Sequence, residues 1–101
     1  MSRKITLATP GEILNQEFLL PMNIGQCALA KAVYVPSWRI TEIIEHGRAI
    51  TPDMALRLGQ YFGMSADFWS SLQSRYDLET RRAQMVEELA VIRQLQADQA
   101  G

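Results

Sequence analysis

Residues 24–47 constrain the fold of this chain more than any other stretch, because their pattern predicts two short helices joined by a tight turn. Leu29 and Ala30 face inward on the first helix, where a small alanine lets another helix cross closely. Three residues of the second helix recur at i, i+3 and i+4 spacing and so share one buried face: Ile40, Ile43 and Ile44. Pro36 suits the start of this second helix. The layout is typical of a helix-turn-helix, whose second helix enters the DNA major groove, and it also fits an ordinary αα-hairpin.

Composition bounds the class of protein. A chain of 101 residues with 48% hydrophobic content suits one small folded domain, with or without an added helix. The single cysteine, Cys27, rules out an internal disulfide and suits a reducing compartment, and we expect it to be buried. The net charge of −1 argues against a generally basic coat, although a local phosphate-contacting surface between residues 31 and 57 stays open. Without a membrane-length apolar run or a signal-peptide core, we expect a cytoplasmic protein with no membrane contact.

Capping signals predict further helices around this motif. Helix-start signals stand at three places: Thr9 to Glu12, Thr51-Pro52-Asp53, and Ser65-Ala66-Asp67. Helix-end signals stand at three others: Pro21, Gly47 and Gly63. Gly25 takes the N-cap position of the motif's first helix, where glycine is slightly weaker than serine. We therefore expect an all-α chain.

The chain from residue 79 onward changes in composition to Gln, Ala, Glu and Arg. Met85, Leu89 and Ile92 fall at spacings of four and three, which predicts an amphipathic helix for dimerisation or partner contact. Phe68 and Trp69 lie in an aromatic-rich stripe that we expect in the core or at a protomer contact. The predicted organisation is an N-terminal arm (1–9), a helix-turn-helix domain (10–78) and a C-terminal amphipathic helix (79–101).

The outward side chains of the motif's second helix are candidate DNA contacts. A turn of about 100° per residue points three side chains away from the isoleucines, namely Trp38, Glu42 and Glu45. Arg39 and Thr41 flank that face. Arginine is the side chain best shaped for a guanine edge, and threonine can bond a base or touch a thymine methyl. Arg48, just after the helix, is a candidate phosphate clamp, although an exposed side chain on any helix is commonly just solvated.

Catalytic signals are absent from the sequence. No metal-ligand cluster, phosphate loop or nucleophile with a base stands at a telling spacing. A lone histidine, His46, more often complements a helix C-terminus than performs catalysis. We expect no enzyme activity, no metal or other cofactor and no small-molecule substrate.

Several short segments, taken together and in order, resemble the HigA-type antitoxins. These proteins, also called VapI-like, belong to the lambda-repressor-like helix-turn-helix (XRE) class. The resemblance covers about two thirds of the chain through PGEIL at 10–14, EFLLP at 17–21, LA at 29–30, RITEII at 39–44, GRAITPDMALRL at 47–58, YFG at 61–63, and SADFW followed by LQSRYDL within 65–78.

This resemblance implies a five-helix lambda-repressor-like helix-turn-helix domain, here with an added C-terminal amphipathic helix. It also implies a homodimer that binds double-stranded operator DNA in its own promoter and neutralises a HigB-like, mRNA-cleaving toxin. By analogy, the DNA contacts fall at six positions: Gln26, Ser37, Trp38, Arg39, Thr41 and Arg48.

Two residues depart from the family's pattern. Tyr34 stands in the turn where glycine is common, and a positive φ at a non-glycine residue costs about 1 kcal/mol. Gly25 stands where the family favours serine. Two alternatives therefore stay open: a toxin-binding interaction module with weak or no DNA binding, and a stand-alone transcriptional regulator without a toxin.

Overall fold

A computed structural model of the chain describes residues 7–95, and within that range all regular structure is helical. The helices are α1 (10–22), α2 (Gln26–Val33), α3 (Ser37–His46), α4 (Pro52–Phe62), α5 (Ala66–Gln84) and α6 (Val86–Ala90). The prediction of an all-α fold is confirmed. Most of the predicted N-terminal arm, residues 1–6, and the end of the predicted C-terminal helix, residues 96–101, lie outside the described residues.

The start of α1 has the predicted capping box. The Thr9 backbone N–H donates to Glu12 Oε1 over 3.0 Å, and the Glu12 N–H donates to Thr9 Oγ1 over 3.1 Å. This reciprocal pair satisfies two of the backbone donors that a helix N-terminus leaves free. The start of α1 predicted from the sequence is therefore confirmed.

The end of α1 differs from the prediction, because the helix runs one residue beyond Pro21, to Met22. A π-helical segment, Leu14–Leu19, precedes the proline, and in it the Leu20 N–H reaches the Asn15 carbonyl. A proline ring in regular α geometry crowds the carbonyl four residues earlier, and a wider turn just ahead of it relieves that crowding. The proline therefore widens the helix before ending it.

The core joins one side of each helix of the five-helix domain. It consists of Leu14, Leu19, Leu29, Ala30, Val33, Val35, Ile40, Ile43, Ile50, Met54, Ala55, Leu58 and Trp69. Leu29, Ala30, Ile40 and Ile43 are buried as predicted, and Ile44 packs against the core from its edge. The inward face of the central motif therefore follows from residue spacing alone.

Trp69 does not support the partner contact predicted for it. Its side chain is 0% exposed and packs on Phe18, with ring centroids 4.9 Å apart, and on Phe68 at 5.0 Å. Burying a tryptophan side chain removes a large apolar area from water, and Trp69 is therefore found at the centre of its own domain. Phe68, at the rim of this cluster, keeps part of its ring at the surface.

The last part of α5 and the tail differ from a single added helix. The predicted boundary at residue 78 falls inside α5, which continues to Gln84. Met85 then leaves helical geometry (φ −114°, ψ 24°), and α6 has only five residues. The described residues after 80 are exposed apart from half-buried Met85, so little packing supports the tail, and short helices are marginal in water without such packing.

A close crossing positions α3 against α1. A Cβ atom added to Gly11 would lie 1.9 Å from the carbonyl oxygen of Ile43. No side chain fits there, so glycine lets the α1 backbone rest directly on α3. The depth at which α3 sits in the domain depends on this contact.

We expect Gly11→Ala to lower the free energy of unfolding by about 1–3 kcal/mol, because the added methyl group overlaps a backbone carbonyl and forces α1 and α3 apart. Gly25→Ala is the matched control, since a Cβ at Gly25 meets nothing within 4 Å. Thermal and urea unfolding of both variants measure the difference. Equal stability of the two variants would contradict the close crossing.

Candidate nucleic-acid interface

The helix-turn-helix is built as the sequence predicts. Gly25 is the N-cap of α2, Pro36 is the N-cap of α3, and Gly47 ends α3 in the left-handed conformation with φ +69°. The turn between the two helices contains only three residues, 34–36. This short connection sets α3 across α2 with its isoleucines turned inward.

The turn itself holds a strained residue. Tyr34 has φ 62° and ψ 49°, so the predicted positive φ at this position is confirmed. The Val35 N–H donates to the Ala30 carbonyl over 3.0 Å, which closes the turn in the way that a glycine commonly allows. The Tyr34 side chain is 86% exposed and gains little burial in return. The turn therefore keeps its tight geometry at a cost in stability.

Arg57 fastens this turn from α4. Its Nη1 donates to the carbonyl oxygens of Val33 and Tyr34, over 2.6 and 3.3 Å. Its Nε donates to Asp53 Oδ2 over 2.9 Å. A guanidinium suits the free carbonyls at a helix C-terminus both by charge and by its several donors. Sequence reasoning counted Arg57 only as a basic residue; its i, i+4 spacing from Asp53 was the one available signal.

The outward face of α3 carries the side chains predicted for it. Trp38, near the start of α3, is 62% exposed, and Glu45, near its end, is also exposed. The two flanks of this face meet different neighbours, because successive residues turn about 100° around the helix axis. The Thr41 flank meets α2, and the Arg39 flank meets the start of α4.

On the α2 flank, three predicted contact residues come together. Thr41 Oγ1 donates to Gln26 Oε1 over 3.1 Å and lies 3.3 Å from the Ser37 carbonyl oxygen. Gln26 Nε2 donates in turn to Glu45 Oε2 over 3.3 Å. The first turn of α2 is thereby joined to the middle of α3 by neutral hydrogen-bonding groups and one carboxylate.

On the α4 flank, Arg39 pairs with a carboxylate. Its Nη2 lies 3.8 Å from Asp53 Oδ2, and its side chain is about one third exposed. Asp53 thus serves both Arg39 and Arg57. Trp38, Arg39 and Arg48 line one cleft of about 300 Å³ between α3 and the segment that leads into α4.

Arg48 also has an acidic partner in the free protein. Its Nη2 and Nε lie 3.2 and 3.3 Å from Glu42 Oε1. Both side chains reach solvent, the Arg48 side chain being 68% exposed and that of Glu42 32%. The predicted phosphate clamp therefore lies at the edge of the outward face of α3, held by a carboxylate from that same face.

The loop between α3 and α4 is fixed by a residue that sequence reasoning missed. The Ile50 N–H donates to Gln73 Oε1 over 2.8 Å, and Gln73 Nε2 donates to Asp77 Oδ1 over 2.9 Å. Gln73 is buried on α5, and a buried amide needs such partners. This bond holds the chain that follows Arg48 against the domain.

The prediction of a buried Cys27 is wrong, because its side chain is exposed. The buried face of α2 is set by Leu29, Ala30 and Val33, and Gln26 rather than Cys27 continues it at i−3 and i−4 spacing. Small apolar character alone did not identify the face.

Among the described residues, no group of three His, Cys, Asp or Glu side chains is arranged to hold a metal ion. Within the same residues, 7–95, no helix has both the length and the apolar character needed to cross a bilayer.

Two helices meeting at a tight left-handed turn, within an all-helical domain and with a polar outward face on the second helix, define a helix-turn-helix domain. The chain is 51% identical to virulence-associated protein I of Dichelobacter nodosus over 70 residues, which are 69% of this chain and 65% of that protein. It is 34% identical to antitoxin HigA-1 of Vibrio cholerae over 85 residues, which are 84% of this chain and 80% of that protein. No family model matches the chain.

A solved structure of the Pseudomonas aeruginosa antitoxin HigA with the higBA promoter superposes on this one with a TM-score of 0.83 and 42% identity, covering 88% of this chain and 98% of the other. The chain belongs to the HigA-type antitoxin family, and the resemblance seen in the sequence is confirmed. It spans 65% of virulence-associated protein I, just under two thirds of that relative's length.

We expect Tyr34→Gly to raise the free energy of unfolding by about 1 kcal/mol, because glycine adopts a positive φ without the Cβ clash. Tyr34→Ala is the matched control: it removes the same exposed ring and keeps the Cβ, so it gains little. Urea unfolding at one temperature compares the three proteins. A gain in the alanine variant equal to that in the glycine variant would mean that the aromatic ring, not the backbone, carries the cost.

Proposed function

We propose that this protein is a dimeric, sequence-specific repressor that binds double-stranded operator DNA and acts as the antitoxin of a type II toxin–antitoxin module in the cytoplasm. The observation that carries the proposal is the outward face of α3, with Trp38 exposed and polar side chains on both flanks. A relative with 42% identity, Pseudomonas aeruginosa HigA, has been solved with promoter DNA, which supports the same role for this chain.

The predicted contact residues have three kinds of task in this proposal. α3 enters the major groove, where Arg39 reaches a base edge and Thr41 contacts a base or a thymine methyl. Trp38 packs on sugars or methyl groups at the groove wall. The DNA backbone on either side is contacted by Gln26, Ser37 and Arg48. These contacts fix the position of the protein along the DNA without reading the base sequence.

The toxin-binding half of the proposal rests on family membership. Relatives of this chain are named as antitoxins, and the partner we propose is a HigB-like toxin, an mRNA-cleaving protein. The alternative of a toxin-binding module that has lost DNA binding depended on an altered turn at Tyr34. The turn keeps its left-handed geometry, which favours the DNA-binding form.

The test is a titration of the purified protein against labelled DNA from its own promoter and against scrambled DNA, at about 50 and 200 mM salt. We expect selective binding to promoter DNA that weakens as salt rises. Arg39→Ala should lose about 1–3 kcal/mol on the operator and little on scrambled DNA, because it removes a base contact.

Arg82→Ala is the control for that variant, since it deletes the same charge from α5, where Arg82 pairs with Glu79. Unchanged operator affinity in Arg39→Ala would remove Arg39 from the base contacts. Equal, feeble binding of the wild-type protein to both DNAs would reject the repressor role and leave toxin binding to be tested alone.

We propose that the dimer forms through the tail, with Met85, Leu89 and Ile92 as candidate contacts. Phe68, partly exposed near the start of α5, is a further candidate for a dimer or partner contact. Leu89 and Ile92 are exposed apolar side chains that nothing else in the described chain covers. Two half-sites one helical turn apart require two such domains in a fixed relation.

Leu89→Glu should raise the dimer dissociation constant at least about tenfold, because a charge would enter an apolar contact. Val91→Glu is the matched control, as Val91 is a nearby exposed apolar residue off the Met85–Leu89–Ile92 stripe. Sedimentation equilibrium measures both variants. An unchanged dimer in Leu89→Glu would place the interface elsewhere, and equal weakening in both variants would reject the stripe as the specific contact.

A further inference from the structure

We propose that Glu42 is a specificity-determining residue that acts by exchanging partners: it holds Arg48 in the free protein and passes to a base-edge donor on operator DNA, which releases Arg48 to a phosphate. This inference rests on the proposed DNA-binding function. It concerns an outward carboxylate of α3 that is not among the six contact positions implied by the family resemblance.

The backbone brings the two side chains together. Gly47, with φ +69°, turns the chain back at the end of α3, and the Arg48 N–H donates to the Glu42 carbonyl over 3.0 Å. The Arg48 guanidinium then reaches the Glu42 carboxylate, with two nitrogens within 3.3 Å of Oε1. The pair is thus set by the helix end and not by chance proximity of two long side chains.

The Glu42–Arg48 pair matters for DNA binding because the neighbouring arginines are paired with carboxylates as well. Between residues 37 and 57, all of them described, each arginine has an acidic partner: Arg39 and Arg57 with Asp53, and Arg48 with Glu42. Nonspecific DNA binding depends on basic side chains that displace counterions from phosphates. A face whose arginines are all paired has little of that attraction to offer before a pair is opened.

Opening the pair has different results on different DNA. When a phosphate takes Arg48, the Glu42 carboxylate is left on the major-groove side of α3 without a cation, close to the polyanion. Every base pair presents one amino group in the major groove, on its cytosine or its adenine, so sequences differ in which strand carries that donor. A cytosine or adenine within reach of Glu42 gives the carboxylate a new partner. A guanine or thymine at that place presents only acceptor atoms, leaves the carboxylate unpaired and so penalises the wrong sequence.

Glu42→Gln tests the proposal in the operator and scrambled-DNA titrations. Glutamine fits the same space without a charge, so Arg48 is free and no carboxylate is stranded. We expect affinity for scrambled DNA to rise about fivefold or more, with its salt slope steeper by about one unit, since one more phosphate contact forms. Operator affinity should stay equal or fall, so the ratio of the two affinities decreases.

Glu45→Gln is the matched control. It removes the same charge from the same helix, but the hydrogen-bond partner of Glu45 is the neutral Gln26, so no cation is freed. It should change both affinities by a similar, smaller factor. In the Arg48→Gln background, Glu42→Gln should keep only the smaller effect that Glu45→Gln has, because the released group is gone.

Three results would overturn the proposal. If Glu42→Gln changed the affinities for both DNAs by the same factor, as Glu45→Gln is expected to do, only a general effect of charge would remain. A loss of operator affinity with scrambled DNA unchanged would assign Glu42 to base reading without release of Arg48. A full effect of Glu42→Gln in the Arg48→Gln background would show that the pair is not its route. Wild-type protein that binds both DNAs equally would instead reject the proposed function itself, before any variant is compared.

Discussion

The contact between the Gly11 backbone and the Ile43 carbonyl is the constraint on which the position of α3 depends. Two helices at ordinary separation leave room for side chains between them, whereas here one backbone rests on the other. Ile40 and Ile43 can then reach the centre of the core while the opposite face of α3 stays in solvent. The same contact thus fixes both how much of α3 is buried and how much remains available to a partner.

Hydrogen bonds from side chains hold the segments on either side of α3. Arg57 bonds the carbonyls of the turn before the helix, and Gln73 bonds the backbone of the loop after it. Both side chains belong to helices that follow α3 in sequence, so the ends of α3 are positioned only once α4 and α5 have packed. Rigid placement of this kind is what base reading needs, since a contact residue must be held within a fraction of an ångström.

The sequence predicts the elements of this fold well and its long-range polar contacts poorly. Capping residues such as Thr9, Thr51 and Ser65 carry local signals and were located correctly. The buried faces of α2 and α3 followed from helical spacing. Arg57, Asp53 and Gln73 were missed as positioning residues because their positioning contacts lie outside their own helices: Arg57 bonds the turn carbonyls, Asp53 pairs with Arg39, and Gln73 bonds the Ile50 N–H. The i, i+4 spacing of Asp53 and Arg57 indicates only that these two side chains can pair with each other. Cys27 was misplaced for a related reason, because its residue type suggests burial but the packed helices leave it exposed. For Trp69 the sequence left core and protomer contact open, and the packing places it in the core.

The charged residues of the candidate site show the same limit of prediction from sequence. The sequence identifies which arginines stand near α3, and a net charge of −1 says little about how they are used. The structure adds that these arginines are matched by carboxylates that share their surface, Glu42 and Asp53 above all. Ion pairs this exposed contribute little to stability. Their presence on a face proposed to meet a polyanion is therefore better explained by selectivity: each pair must open before its arginine meets a phosphate, and only a suitable base sequence compensates the carboxylate left behind.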